Sequence, residues 1–224
     1  MNWFSKFLVS TIGRKVIMSL TGLFLIVFLV VHCSINSLMF LNDGGLFFNE
    51  AAHFMASNIL IRTIEILLFL FLIIHILQSV AITRQNMKAR TISYSGTSAT
   101  ATSKWYSRSM GILGSLILVF LIIHLKDFFI PSRFTARLGL DNNGTPDMYS
   151  EVKGAFQNPA YAMIYIFSMI VLAYHLLHGF QSAFRSLGVY HKKYTPVIEF
   201  IGIAFSIIVP AVFAAMPVYF LLKK

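Results

Sequence analysis

The chain has 224 residues, 57% of them apolar and 12% charged, with 22 Phe and a formal net charge of +10. A soluble domain carries about twice that charged fraction, so an ordinary water-soluble globule is excluded and a single integral-membrane bundle is indicated. The one cysteine, Cys33, excludes an internal disulfide and a cysteine-held iron–sulfur cluster; no Cys-x-x-Cys-His is present for covalent haem, and the charge is read by its placement rather than as a nucleic-acid signal.

Residues 2–15 mix Trp3, Phe4, Phe7 and Leu8 with Lys6, Arg14 and Lys15, which suits a short helix lying at a membrane interface. A cleaved signal peptide is the competing reading. The apolar run from Val16 to Leu41 is too long for a signal h-region, and no small-residue cleavage site follows it. Five spans are predicted at about 16–41, 59–82, 109–130, 160–184 and 197–222. Each is long enough to cross a hydrocarbon core about 30 Å thick. The predicted fold class is all-α, one transmembrane five-helix domain over 1–224. Pro210 and Pro217 fall inside the fifth span, where neighbouring helices must satisfy the carbonyls they free. The stretch Thr91 to Ser103 is rich in Ser, Thr and Ala and predicts a loop, draped on a partner or a disordered tether. Asp141-Asn142-Asn143-Gly144 predicts a solvated turn rather than a calcium loop.

Charge sets the expected orientation. With the N-terminus inside, the inner segments hold 11 of the 18 Lys/Arg and only Glu199 of the eight acids. That is the asymmetry of a cytoplasmic N-terminus in a multi-pass protein.

Phe28-Leu29-Val30-Val31-His32, Phe71-Leu72-Ile73-Ile74-His75 and Phe120-Leu121-Ile122-Ile123-His124 repeat one pattern, and a fourth span carries Tyr174-His175-Leu176-Leu177-His178-Gly179. A titratable ring in hydrocarbon is costly unless partnered, so intramembrane histidines mark function by default. At 1.5 Å per residue, His32 and His124 lie roughly 24 and 22 Å from the inner ends of their outward-running spans. His75 lies roughly 24 Å down its inward-running span, with His175 at about 22 Å and His178 at about 27 Å. The rings sort into an outer pair, His32 with His124, and an inner pair, His75 with His178 or His175. Depth does not choose between those two, which share a face at i, i+3. The levels are about 15–20 Å apart. Two haems, each held by two imidazoles, fit this pattern, since bundle cores house cofactors bound from facing helices. Gly22 and Gly114, each ten residues before an outer histidine, and Gly179 leave room for a flat macrocycle. His53 and His191 fall in loops.

Thr21-Gly22-Leu23-Phe24-Leu25 before His32, Met110-Gly111 before His124, His178-Gly179 with Arg185 beyond, and Phe180-Gln181-Ser182-Ala183-Phe184 together resemble one family. It is the di-haem cytochrome b membrane-anchor subunit of succinate:quinone oxidoreductases and quinol:fumarate reductases, of the single-chain five-helix type. Asp127-Phe128-Phe129 and His191-Lys192-Lys193-Tyr194-Thr195-Pro196 resemble the succinate dehydrogenase members of Bacteroidetes-type bacteria. The resemblance covers nearly the whole chain. It implies two haem b groups, a bacterial cytoplasmic membrane, and iron–sulfur and flavoprotein subunits docked on the cytoplasmic face. It also implies transfer of electrons from succinate to a quinone, with menaquinone expected. It puts the fourth ligand at His178, the His before Gly, pairing His32 with His124 at the distal haem and His75 with His178 at the proximal one. Leu176 departs from some fumarate reductases of this family, which carry an acid there.

Haem propionates need cationic or hydroxyl partners. Arg14, Lys15, Ser19, Arg108 and Arg185 are candidates at the inner end and Arg62 at the outer end; ordinary positive-inside flanking explains them equally well. Glu50 and His53 are the candidate quinone-site groups, with Asn49, Arg62 and Glu65 nearby, because quinone chemistry needs proton acceptors and hydrogen-bond donors. Competing functions are the cytochrome b subunit of a hydrogenase or formate dehydrogenase, a haem-free proton-coupled transporter, and a structural anchor.

Overall fold

In a computed structural model the chain is described at residues 2, 3, 6, 7, 10–88, 105–135 and 137–223. The predicted loop over Thr91 to Ser103 lies outside these residues, as do Phe4 and Leu8. Among the described residues the chain is helical, with one isolated β-bridge between Leu140 and Pro146. In chain order the helices are α1 (Thr11–Ser37), α2 (Leu46–Ser57), α3 (Ile59–Lys88), α4 (Trp105–Arg108), α5 (Met110–His124), α6 (Ile130–Phe134), α7 (Met148–Phe156), α8 (Pro159–Ser186) and α9 (Thr195–Leu222). A 3-10 turn, Leu38–Phe40, extends α1, and a π-helical turn, Leu125–Phe129, joins α5 to α6. Five helical stretches are long and apolar enough to cross a membrane: Thr11–Phe40, Ile59–Lys88, Met110–Phe134, Pro159–Ser186 and Thr195–Leu222.

The ends differ from the predicted spans for local reasons. α1 begins at Thr11, because the Ser10 side chain accepts from the Gly13 N–H at 3.0 Å and caps it. Arg14 and Lys15 therefore belong to the first turns of α1, and the segment preceding the span ends at Ser10 rather than residue 15. α3 runs on to Lys88, where a cation in the last turn suits the helix dipole. Asn58 caps α3 and Asn158 caps α8, each through its Oδ1. Inside α9, Pro210 and Pro217 are buried, and Ser206 turns its hydroxyl back to the Gly202 carbonyl at 2.6 Å.

α1 packs against α3 and α8, and α5 packs against the same two, so four helices close a ring. α9 lies outside it, against α8 and α1. α1 thus faces α5 across the ring, and α3 faces α8. These four are the histidine-bearing helices. Glycine makes the closest joint with α9: the Phe180 ring lies where a Cβ on Gly202 would be, at 2.6 Å.

The two ends of the bundle differ in charge. One gathers Arg14, Lys15, Arg84, Lys88, Arg108, Arg185, Lys192 and Lys193 with Glu199; the other, the acidic end by contrast, gathers the remaining seven acids, balanced by Arg62, Lys126, Arg133, Arg137, Lys153 and Lys223. The acidic end carries a cap. α2 and α7 cover it, burying Met39, Phe48, Tyr149, Phe156, Met216 and Phe220 with Phe128 and Tyr165. Asn49, 1% exposed, ties the cap together. Its amide donates to Asp141 (3.2 Å) and Asp147 (3.0 Å), and its carbonyl accepts from the Tyr149 N–H (2.9 Å). Asp141 also closes the predicted turn, accepting from the Asn143 and Thr145 N–H groups, with Gly144 at φ +77°.

Replacing Asn49 by Ala leaves a buried N–H and two carboxylates without their partner, which costs about 1–3 kcal/mol. Asn49→Ala should therefore lower the thermal midpoint of the detergent-solubilised chain while leaving helix content intact. A second prediction concerns acid. The N–H of Phe47, then that of Gly45, hold the Asp43 carboxyl below its usual range. Burial pushes Asp147 up, but Ser150 and Asn49 outweigh it and leave this carboxyl low too. Both groups favour the folded cap fully above the unfolded carboxylate value of about 4, and that contribution is lost as pH falls through their depressed folded values. Thermal stability should hold from pH 7 to about 5 and drop below about 4. Asp147→Asn should remove part of that drop.

Candidate functional site

The bundle interior brings the histidines together in two places. His32 on α1 and His124 on α5 meet across one diagonal of the ring, with ring centroids 5.8 Å apart and planes at 85°. His75 on α3 and His175 on α8 meet across the other, at 6.4 Å and 66°. His178 lies one turn further along α8 and is half-buried. Two rulers give the separation of the levels. Thr21 touches His75, and His32 is eleven residues further along α1, about 16 Å. Tyr165 touches His124, and His175 is ten residues further along α8, about 15 Å.

Hydrogen-bond partners stand beside the Nδ1 atoms of three of the rings. The Thr21 hydroxyl donates to the carbonyls of Ile17 (2.9 Å) and Met18 (3.1 Å) within its own helix. With its one proton on either carbonyl, its oxygen accepts from His75 Nδ1, at 3.1 Å. That arrangement corresponds to the Nδ1–H tautomer of His75. At the other level Tyr161 donates to the Asp127 carboxylate (3.0 Å), Tyr165 lies 3.0 Å from Tyr161, and Tyr165 lies 3.5 Å from His124 Nδ1. His32 differs. The Asn36 amide nitrogen sits 2.8 Å from the His32 carbonyl and 3.3 Å from its Nδ1, so here the ring nitrogen accepts.

These residues can be tested against a haem. A nitrogen about 2 Å from a metal on either side puts two opposed imidazole centroids roughly 6 Å apart, which both diagonals match. A metal-bound imidazole normally gives its other N–H to an acceptor; His75 and His124 each have a hydroxyl oxygen beside Nδ1, and His32 gains an acceptor there only once the Asn36 amide turns over. At the His75 level the Nδ1 of His175 and the Oε1 of Gln78 are buried without a partner in the protein. Gly22 cradles His75: a Cβ there would stand 3.4 Å from its Cε1. Gly114 opens toward Ser79 (3.9 Å), and a Cβ on Gly179 would meet nothing within 4 Å. The donor set fits at His75 and His124, while His32 faces the Asn36 amide and His175 has no acceptor for its Nδ1. Among the described residues no three His, Cys, Asp or Glu side chains converge as a free ion would need; a haem iron takes only two ligands from the chain.

The remaining candidates lie at the ends. Ser19 is buried, its hydroxyl donating to the Lys15 carbonyl at 2.8 Å. Arg14 and Arg108 are half-buried, and Lys15 and Arg62 are exposed. Arg185 is engaged by Glu199 at 2.9 Å, tying α8 to α9. At the acidic end Glu50 and His53 are exposed together on α2, while Asn49 beside them is taken up in the cap. Glu65 is paired with Arg133. Leu176 is buried in α8. An open cleft of about 400 Å³ at this end is lined by Asp127, Phe128, Arg137, Ser150, Glu151 and Tyr161, among others.

Sequence reasoning did not find Thr21, Asn36, Gln78, Tyr161 or Tyr165 as histidine-level residues. The signal was present: Tyr161 and Tyr165 are spaced i, i+4 on the helix that carries His175, and Thr21 and Asn36 share a helix with His32. No protein-family profile matches the chain, and neither a curated protein nor a solved structure is similar to it.

Proposed function

We propose that the chain is the di-haem membrane subunit of a succinate:quinone oxidoreductase. The observation that carries this reading is the meeting of two imidazole pairs on the two diagonals of one four-helix ring, about 15 Å apart along it. His32 and His124 would hold one haem. His75 with His178 or His175 would hold the other; the resemblance favours His178, and the ring contact favours His175. A haem iron so held supplies reversible one-electron transfer at a potential tuned by its ligands and their hydrogen bonds. The chain's own part is to fix the rings, exclude water and offer charge at the two ends. Thr21 holds the Nδ1–H of His75, and Gly22 keeps α1 clear of that ring.

At the basic end Arg14, Lys15, Ser19, Arg108 and Arg185 are proposed partners for the propionates of the nearer haem, and Arg62 for the farther one. Release of Arg185 from Glu199 is a condition of its taking that role. The same basic end complements an iron–sulfur subunit with its flavoprotein partner, and charge of one sign on an interface steers docking and register. That end then faces the cytoplasm of a bacterial inner membrane. Glu50 and His53, both exposed on the acidic end, are the proposed groups beside a quinone, expected to be menaquinone. Succinate chemistry belongs to another subunit.

Haem content decides the matter. Reduced-minus-oxidised spectra and pyridine haemochrome of the purified chain should give two b haems. One should be lost in His32→Ala or His124→Ala, and the other in His75→Ala. Loss in His178→Ala but not His175→Ala, or the reverse, names the fourth ligand. A chain without haem would overturn the reading and favour the transporter alternative. A size series at Gly22 checks the inner level separately: Gly22→Ala makes only ordinary contact with His75 and should keep both haems, whereas Gly22→Leu should lose the one that His75 holds.

A further inference from the structure

The tyrosine pair beside His124 forms a hydrogen-bond chain whose direction is determined by its far end. Asp127, as a carboxylate 3.1 Å from the Lys126 ammonium, can only accept. Tyr161 donates to it at 3.0 Å and has no second proton. The 3.0 Å contact between the two phenols is therefore Tyr165 donating to Tyr161. Tyr165 has then spent its own proton, so at 3.5 Å its oxygen can only accept from His124 Nδ1. We propose that Tyr165, Tyr161 and Asp127 are positioning residues for His124: they hold its ring in the Nδ1–H tautomer and leave Nε2 bare toward His32.

Three further features support this role. The π-helical turn at Leu125–Phe129 begins at the residue after His124 and contains Asp127, and single π turns inside α-helices recur at functional sites. The Phe128 ring packs 5.6 Å from His124 and 6.0 Å from Tyr165, walling the phenols off on the side of the cap. Phe120 closes the other side, 5.0 Å from Tyr165 and 5.7 Å from His124. The chain opens at Asp127 and Tyr161, which line the cleft shared with Arg137 and Glu151. Those two are bound to each other, so they leave Asp127 to Tyr161 and Lys126. An acceptor chain ending on a carboxylate makes the imidazole a stronger electron donor to a metal on Nε2.

The inference rests on the haem reading, and the test separates the two. In the holo chain the haem that His32→Ala removes is identified, and its midpoint potential is measured in Tyr165→Phe and in Asp127→Asn. Both variants should keep two haems and raise that potential, with Tyr165→Phe also making it insensitive to Asp127→Asn, while the second haem's potential stays put. An unchanged potential in both variants overturns the proposal although haem is present. If the purified chain holds no haem, the functional reading fails and the tautomer is read directly from ¹⁵N spectra of histidine-labelled full chain, with His124→Ala assigning the signal. An Nδ1–H His124 that becomes a tautomer mixture in Tyr165→Phe supports the chain; an Nε2–H His124, or one indifferent to Tyr165→Phe, overturns it.

Discussion

An imidazole inside a bilayer has two ring nitrogens and no water to satisfy them, and the interior of this molecule is arranged around that constraint. Each neutral ring carries one donor and one acceptor, and a buried polar atom without a partner costs free energy. Five histidines in the spans multiply the demand. The four-helix ring answers it by pointing rings inward across its diagonals, where the two centroid pairs stand at 5.8 and 6.4 Å, and by backing His75 and His124 with hydroxyls from neighbouring helices. The fifth long helix carries no histidine; it buttresses α8 and α1 and lays Phe213 against the His32 ring at 5.5 Å.

The same constraint explains where the polar residues of the spans occur. Thr21 sits on α1 opposite His75 rather than near His32, the histidine of its own helix. Tyr161 and Tyr165 sit on α8 opposite His124, about three to five turns from the histidines of α8. α1 and α8 thus each contribute a histidine at one level and a hydroxyl at the other. Exchange of this kind ties the two levels to the packing of the whole ring, because shifting one helix along its axis breaks a contact at both.

Much of this was legible in the chain itself. Five apolar runs, the absence of strands among the described residues, and the meeting of His32 with His124 all follow from hydropathy and a rise of 1.5 Å per residue. Depth along a helix can be counted from sequence; azimuth around it can be counted only relative to the same helix. That is why the level of His75 could be matched to His175 and His178 together without separating them. It is also why the roles of Thr21 and Tyr165 could not be read: they depend on which neighbour each residue faces. The early start of α1 escaped for another reason. Arg14 and Lys15 look like flanking charges, but the Ser10 cap sets the boundary before them. The cap over the acidic end was the least legible part, since Asn49 gathers partners from nearly a hundred residues away.

The two levels use the same kind of ring but differ in what stands behind it. His75 leans on a threonine hydroxyl whose own proton ends on neutral backbone carbonyls inside the bundle. His124 leans on a chain that ends on a carboxylate at an open cleft. A hydrogen-bonded anion polarises an imidazole more than a neutral hydroxyl does, and charge-assisted bonds are about twice as strong as neutral ones. Identical imidazoles therefore stand in unequal surroundings. The inequality is built into residues that a histidine count would overlook, and it runs in one direction along the bundle, from the basic end toward the acidic one.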